Sequence, residues 1–500
     1  MSELTAGTGI TELAGLAYLT PELILIGAAS VLIILDLLFK RKEIVAFAGV
    51  LGCLAAIIAS AALFVSTDSA TVLNGMFVFD GYGGFFKIFF YLTCILTILM
   101  SLKYLEIEGV PFGEYYALLL LATAGMAFMA SAADLIVLFL GLELMTLSTY
   151  VLIGIRRDSL RSNEAAIKYF LLGGFSTAFL LYGIALIYGL TGTTQIDGVA
   201  AFVADPASEG GILLVLPVTL LVVGFGFKIS VAPFHMWAPD VYEGAPTAVT
   251  AFLSVGSKIA GFAALGRVLS VGFRPVPEMW TTLLVGLAVL SIGLGSILAL
   301  TQTNIKRMLA YSSIAHAGYA LIGVIAGGRE GLMSMMVYLF VYGLMNLGAF
   351  SVVIALRSKG VAGESLDDFE GLAKLHPVVS ALMLVFMFSL AGIPPTAGFV
   401  AKFSVFMAAV RAGYTPLAVI GVVFSVISAF FYLRVVVLMY MKEPRKEVPL
   451  TTSLPLKIVL ATTASALILL GVYPAPLLDL ATAATTSWEQ AALVANGILP

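Results

Sequence analysis

The chain has 500 residues, of which 61% are hydrophobic and only 11% charged, with a formal net charge of -3. Soluble domains carry about 25% charged residues, so a soluble multi-domain enzyme is excluded. Mean hydropathy is +1.07 and the pI is near 5.7; with no basic patch and three tryptophans, the chain has no electrostatic footprint for nucleic acid.

The opening residues contain no Lys or Arg ahead of the first apolar run, so that run reads as a first span and not as a cleaved leader. A helix needs about 20 apolar residues to cross a bilayer. Apolar windows bounded by charge or by Gly/Pro clusters predict fourteen such helices, at 16–38, 44–66, 82–102, 115–132, 134–155, 166–191, 211–237, 245–269, 279–301, 306–327, 331–356, 377–410, 414–441 and 455–475. The expected fold is therefore an all-α polytopic membrane protein. Cys53 and Cys94 lie 41 residues apart within apolar runs, too few for a disulfide framework or a four-ligand metal site, and read as small packed hydrophobes. Pro233 and Pro394-Pro395 fall inside the seventh and twelfth runs, and proline removes a helical donor and clashes with the preceding turn. Both helices should be broken.

Connections after odd-numbered spans hold fifteen Lys and Arg, and those after even-numbered spans hold four, Arg267, Arg274, Arg329 and Arg411. Positive charge stays cytoplasmic, so the odd connections are expected inside and, with an even span count, both termini on the far side. Tyr150-Val-Leu-Ile-Gly154 reappears as Tyr319-Ala-Leu-Ile-Gly323 at an offset of 169, which also maps Tyr169 and Gly174 onto Tyr338 and Gly343. The two proline breaks correspond as well. Spans four to eight and nine to thirteen thus read as two five-helix repeats, inverted because an odd helix count reverses the side of entrance. The expected divisions are three N-terminal helices in 1–110, a first repeat in 115–270, a second, inverted repeat in 279–441, and a C-terminal helix and tail in 455–500.

Seven Lys and Arg fall within spans: Lys87, Lys168, Lys228, Lys258, Lys402, Arg434 and Lys457. Lys87 and Lys457 lie near span ends and read as snorkelling to the interface; Arg434 reads as capping or snorkelling, and Glu22, Asp36 and Asp134 as interfacial. Glu164 and Lys168 have the spacing of a helical ion pair. Glu143, Lys228, Lys258 and Lys402 are central. An ionised side chain at mid-bilayer costs about 2.5–3.5 kcal/mol, so four cost about 10 kcal/mol, comparable to the ~5–15 kcal/mol stability of a whole domain. One carboxylate is too few to pair three lysines. Burial and a nearby carboxylate push a lysine in opposite directions, so Glu143 paired with Lys228 reads as a proton switch, with Lys258 and Lys402 further along a relay. His235, just past the Pro233 break, and His316, midway along the tenth span, read as relay members between these lysines.

No dinucleotide fingerprint, phosphate loop or cysteine cluster occurs, so any driving energy is expected from an ion gradient or a partner.

The segment Phe227-Lys-Ile-Ser-Val-Ala-Pro-Phe-His-Met-Trp-Ala-Pro-Asp-Val-Tyr-Glu-Gly-Ala-Pro-Thr247 resembles the signature of the antiporter-like membrane subunits of respiratory complex I. Its continuation Val249-Thr-Ala-Phe-Leu-Ser254, with Ala391-Gly-Ile-Pro-Pro-Thr-Ala-Gly-Phe399, is similar to the subunit N (subunit 2) type of bacterial NADH:quinone oxidoreductase. The resemblance covers all fourteen spans. It implies a proton relay through Glu143, Lys228, Lys258 and Lys402, supported by Lys168, His235 and His316, in a bacterial inner-membrane translocase. It further implies no redox centre on this chain, with NADH, FMN, iron–sulfur clusters and quinone handled by partner subunits, membrane and peripheral. A cation/proton antiporter without redox partners is the alternative, and a structural scaffold a third reading that the interior lysines oppose.

Overall fold

The computed structural model describes residues 15–39, 41–66, 69–110, 113–205, 210–358, 363–444 and 449–495. Four of the fifteen cations counted in odd connections, Lys40, Lys359, Arg445 and Lys446, lie outside them.

Among the described residues thirteen helices are long and apolar enough to cross a membrane. In order they are Leu16–Leu38, Lys42–Val65, Gly81–Glu108, Glu114–Ser131, Leu135–Ile153, Leu160–Thr191, Gly211–Lys228, Thr247–Gly272, Glu278–Leu300, Ile305–Ala326, Gly328–Ala355, Thr415–Met441 and Leu454–Val472. The expected twelfth crossing is two half-helices, Pro377–Ala391 and Ala397–Arg411, interrupted around Pro394-Pro395. Counting that broken pair as one, the fourteen expected crossings are present in order. The seventh ends at Lys228, five residues before Pro233, and the chain turns before a short helix, Trp237–Gly244.

Several elements had no counterpart in the hydropathy pattern. A hairpin pairs Ala70–Val72 with Phe77–Phe79, a short helix Ile196–Ala204 follows the sixth crossing, and Ala475–Ala495 forms a helix after the fourteenth. The eighth crossing is not regular: Leu253–Ser257 and Val268–Gly272 are π-helical, the kind of local insertion that clusters at functional sites.

Helix starts are set by short polar side chains. Asp80 caps the third crossing by accepting from Gly83 N at 2.7 Å, and Asn304 caps the tenth from Lys306 N at 2.9 Å. Asp134 caps the fifth from Ile136 N at 2.7 Å and accepts from Thr194 at 2.6 Å. It is a buried cap, not an interfacial residue, because Thr194 and Gln195 pair alongside it. The eighth, tenth and eleventh crossings form the enclosed centre. Their Gly, Ala and Ser content lets backbones approach closely, the usual basis of helix packing in lipid. The first, second, sixth and thirteenth crossings present Leu, Ile, Val and Phe outward.

Candidate functional site

The two broken helices hold their cations in different ways, Lys228 through a hydroxyl and Lys402 through a freed carbonyl. A helix ends with carbonyls that lack intrahelical partners and carry the negative end of the macrodipole, a favourable position for a positive charge. Lys228 is the last residue of the seventh crossing. Lys402, one element later than its break, reaches back so that Nζ donates to the Ala391 carbonyl at 2.9 Å and to Ser425 Oγ at 2.8 Å. Gly392, at φ +85, makes room for this: a Cβ there would lie 2.8 Å from Lys402 Cδ.

Lys228 is 1% exposed; its Nζ donates to Thr146 Oγ1 at 2.9 Å and sits 5.9 Å from the Tyr169 ring centroid. Glu143 is half-buried and accepts from Thr177 Oγ1 at 3.0 Å. Thr146 follows Glu143 by three residues and shares its helix face, but Glu143 and Lys228 do not form an ion pair here. A hydroxyl on the carboxylate's own helix takes the lysine instead.

Lys258, immediately after the first π-helical segment, is also 1% exposed. Its Nζ donates to Ser313 O and Ser313 Oγ, both at 2.6 Å, and Tyr242 OH lies 3.2 Å from the same Oγ. His316 stands one turn further along the tenth crossing, with Nδ1 2.6 Å from Tyr338 OH and Nε2 3.1 Å from Tyr432 OH. Tyr432 also contacts Ser312 Oγ. Tyr319, three residues beyond His316, offers its ring to Lys402 Nζ at 5.3 Å. Lys258, His316 and Lys402 are thus joined by hydroxyls and rings of the tenth, eleventh and thirteenth crossings. Lys228 connects through Tyr169 and Trp237, whose ring centroids are 4.5 Å apart, and Trp237 lies 6.2 Å from Tyr242.

The remaining expected members lie outside this file. Lys168 is at a rim, half-exposed, paired with Glu164 at 2.7 Å and Asp240 at 2.8 Å. Arg307 closes the cluster on Asp240 at 2.8 Å and Glu243 at 3.0 Å, around a cavity of about 180 Å³. Partial burial pushes the Asp240 carboxyl up, but hydrogen bonds from Lys168 and Arg307 outweigh it and hold the group below the usual carboxylate range. His235 is half-buried on the turn beside the exposed Met236, and its Nδ1 has no hydrogen-bond partner among the described residues.

Four charge placements differ from expectation. Lys87 does not snorkel: it is paired at 2.6 Å with Glu22, itself not interfacial, and their side chains are 1% and 0% exposed. The two long side chains meet inside the bundle, where each helix alone looks like a span end. Arg267 and Lys306, counted among loop charges, are buried. Arg267 binds both oxygens of Asp80 at 2.8 and 2.9 Å. Lys306 donates to the carbonyls of Glu243 at 3.0 Å and Ala245 at 2.7 Å and to Glu364 at 3.2 Å. Arg434 caps the end of the ninth crossing through Leu300 O at 3.3 Å and Gln302 O at 3.2 Å, while Lys457 is exposed. Thr146, Ser313, Tyr432 and Ser425 carried no signal by themselves, and Tyr338 stood out only as the repeat counterpart of Tyr169. Their spacing of three or four residues from a titratable group was the available clue only for Thr146 and Ser313.

Fold and file together define a polytopic membrane protein of the antiporter-like class. Residues 132–428 match the family described as NADH:quinone oxidoreductase/Mrp antiporter, TM. The chain is 49% identical over 467 residues to a Rhizobium meliloti protein named NADH-quinone oxidoreductase subunit N 2, covering 92% of this chain and 96% of that one. A chain of respiratory complex I from Thermus thermophilus, solved with bound Aureothin, superposes with a TM-score of 0.78 at 34% identity, covering 92% of this chain and 99% of that one. A chain of the Mrp complex from Dietzia shares the fold, with a TM-score of 0.83 at 24% identity, covering 96% and 99%. The chain belongs to the NADH-quinone oxidoreductase subunit N family.

Proposed function

We propose that this chain is the proton-translocating membrane subunit of a NADH:quinone oxidoreductase and that protons pass along the file from Lys228 by Lys258 and His316 to Lys402. Family membership at high identity over nearly the full length supports the assignment to the oxidoreductase. The observation that carries the relay is the line of buried groups between Lys258 and Lys402: Lys258 Nζ lies 5.8 Å from the Tyr342 ring centroid, that ring 5.2 Å from His316, His316 6.0 Å from Tyr319, and the Tyr319 ring 5.3 Å from Lys402 Nζ. None of these lysines has a carboxylate within ion-pair distance among the described residues, so their role is not charge neutralisation of a partner. A buried ammonium held by hydroxyls and a carbonyl gives up its proton without leaving an orphaned anion.

Glu143 and Lys228, with Thr146 between them, serve as the switch. Closing the pair favours the protonated lysine, and opening it onto Thr146 favours release. Lys168 belongs to the rim cluster, which we assign as the cytoplasmic mouth, and His235 to the turn that follows the seventh crossing. The electron carriers, NADH, FMN, iron–sulfur clusters and quinone, belong to partner subunits. The two proline-broken helices and the shared offset of 169 support two inverted five-helix repeats. Removing the buried Arg267 and Lys306 from the loop counts leaves fourteen cations against three, which supports cytoplasmic odd connections and both termini on the far side of a bacterial inner membrane.

Lys228→Ala and Glu143→Ala are each expected to abolish or strongly reduce proton pumping and coupled quinone reduction while the complex still assembles; full pumping in both would refute the relay. The alternative, an antiporter without redox partners, shares this fold. Co-purification separates the two, since flavin and iron–sulfur proteins travel with the chain only in the first case.

A further inference from the structure

We propose that a cavity at the end of the bundle formed by the even-numbered connections binds the phosphodiester headgroup of an anionic phospholipid, with Arg274 and Arg329 as the groups that hold it. The cavity measures about 380 Å³, the size class of a small-molecule site. Its walls come from separate parts of the chain: the π-helical end Val268–Gly272 of the eighth crossing and the turn after it, the first turn of the ninth, the turn between the tenth and eleventh, and the turn between Ala397–Arg411 and the thirteenth. Thr485 of the helix Ala475–Ala495 completes them.

Cations are rare at this end of the molecule. The connections after the second, fourth, sixth and fourteenth crossings contain no Lys or Arg, and those after the eighth, tenth and twelfth contain four. Arg267 is buried against Asp80. The other three gather here: Arg274 and Arg329 line the cavity, and Arg411 precedes Ala412, which also lines it. Arg411 is neutralised by Glu330 at 2.8 Å. Arg274 and Arg329, both exposed, have no carboxylate. Arg329 Nη2 donates to Thr486 Oγ1 at 2.6 Å and to Thr482 O at 3.5 Å, and the Arg274 guanidinium makes no hydrogen bond or ion pair among the described residues. No lining residue is acidic; Glu278, Glu330 and Asp479, on the same elements, lie outside the lining.

The charge of two guanidinium groups calls for an anion, and a guanidinium fork matches phosphate oxygens two at a time. Basic pockets between membrane helices hold lipid headgroups in this way. The rest of the lining decides between a free phosphate and a lipid. Leu269, Ile325 and Leu332 give apolar wall, and Trp280 and Tyr414 are the residue types that sit at headgroup depth. Inorganic phosphate would leave that wall uncovered, whereas the glycerol and first acyl carbons of a phospholipid cover it. A zwitterionic headgroup brings its own cation and leaves the two arginines uncompensated, so the lipid is one of net negative charge.

The site does not depend on the relay and is read without any measurement of pumping. The intact purified complex is reconstituted into phosphatidylcholine vesicles containing a small fraction of phosphatidylglycerol that carries a photoactivatable group beside its headgroup, and the labelled peptides are identified by mass spectrometry. Labelling within 269–281 and 325–332 is expected in the wild type, lost on adding unlabelled phosphatidylglycerol but not on adding inorganic phosphate, and several-fold lower in the double variant Arg274→Gln, Arg329→Gln. Equal labelling in wild type and double variant would overturn the proposal. So would labelling that unlabelled phosphatidylglycerol does not reduce, which marks ordinary bilayer contact, or labelling that inorganic phosphate removes, which marks a free-phosphate site. Cross-links from these segments to a partner subunit in place of lipid labelling would show a protein in the cavity and count equally against it. If loss of the Arg329 bond to Thr486 prevents assembly, Arg274→Gln alone removes no hydrogen bond or ion pair among the described residues and is still expected to lower labelling several-fold; unchanged labelling there overturns the proposal.

Discussion

Lys228 and Lys402 both sit at a cut helix, and at the second the cut supplies what a buried ammonium needs, a free carbonyl at a negative helix end, Ala391 O. Gly392 makes the second arrangement possible, being left-handed and in contact range of the Lys402 stem. A non-glycine residue in that conformation costs about 1–2 kcal/mol before any clash. Gly392→Ala is therefore expected to lower both the thermal stability of the complex and its coupled activity, whereas an unaltered activity would show that Lys402 does not need this route. Lys306 offers a separate test. Its removal orphans two buried carbonyls and Glu364, and breaking one partner of a buried pair costs about 3–5 kcal/mol; Lys306→Ala should sharply reduce the amount of assembled complex, with partial recovery in Lys306→Arg. At this scale the sequence was informative about charge and silent about hydroxyls. Lys258 and Glu143 stood out because charge is rare inside apolar runs, but Ser313 and Thr146 are ordinary in any membrane helix. Lys87 was misread because position near a span end does not reveal which helix lies over it.

The short helix Trp237–Gly244 ties the parts together. Trp237 Nε1 donates to Phe227 O at 2.9 Å, next to Lys228, Tyr242 meets the serine that holds Lys258, and Asp240 bridges the sixth and tenth crossings through Lys168 and Arg307. Because the folded carboxyl of Asp240 titrates below its unfolded value, its contribution to stability is present above about pH 4, the ordinary aspartate range, and is lost as pH falls through the lower folded value. Asp240→Asn should therefore be less stable than wild type at neutral pH, and the difference should shrink on acidification below about pH 4; a gap that persists at the lowest pH would argue against the carboxylate. Helix number and order were readable because length and apolarity report directly on crossing a bilayer. The short helix, the hairpin and the π-helical turns were not, since each depends on packing against neighbours and leaves no periodic trace.

Over the whole molecule, charge scarcity in lipid has sorted the cations into three populations: rim clusters, buried clamps such as Asp80 with Arg267, and the lysines of the central file. The last are held by hydroxyls and backbone carbonyls with no carboxylate in ion-pair distance among the described residues, and they lie on and between the two broken helices. The resemblance read from Phe227 to Thr247 and from Ala391 to Phe399, the segments that hold the two breaks, agrees with the family shown by full-length comparison. The most direct test of the file is the number of protons pumped per NADH oxidised by reconstituted complex carrying Lys258→Met, which removes the central ammonium but keeps an apolar stem in the same volume. A lower ratio, or loss of coupled turnover in a fully assembled complex, is the expected result; an unchanged ratio at an unchanged rate would contradict a proton path through Lys258.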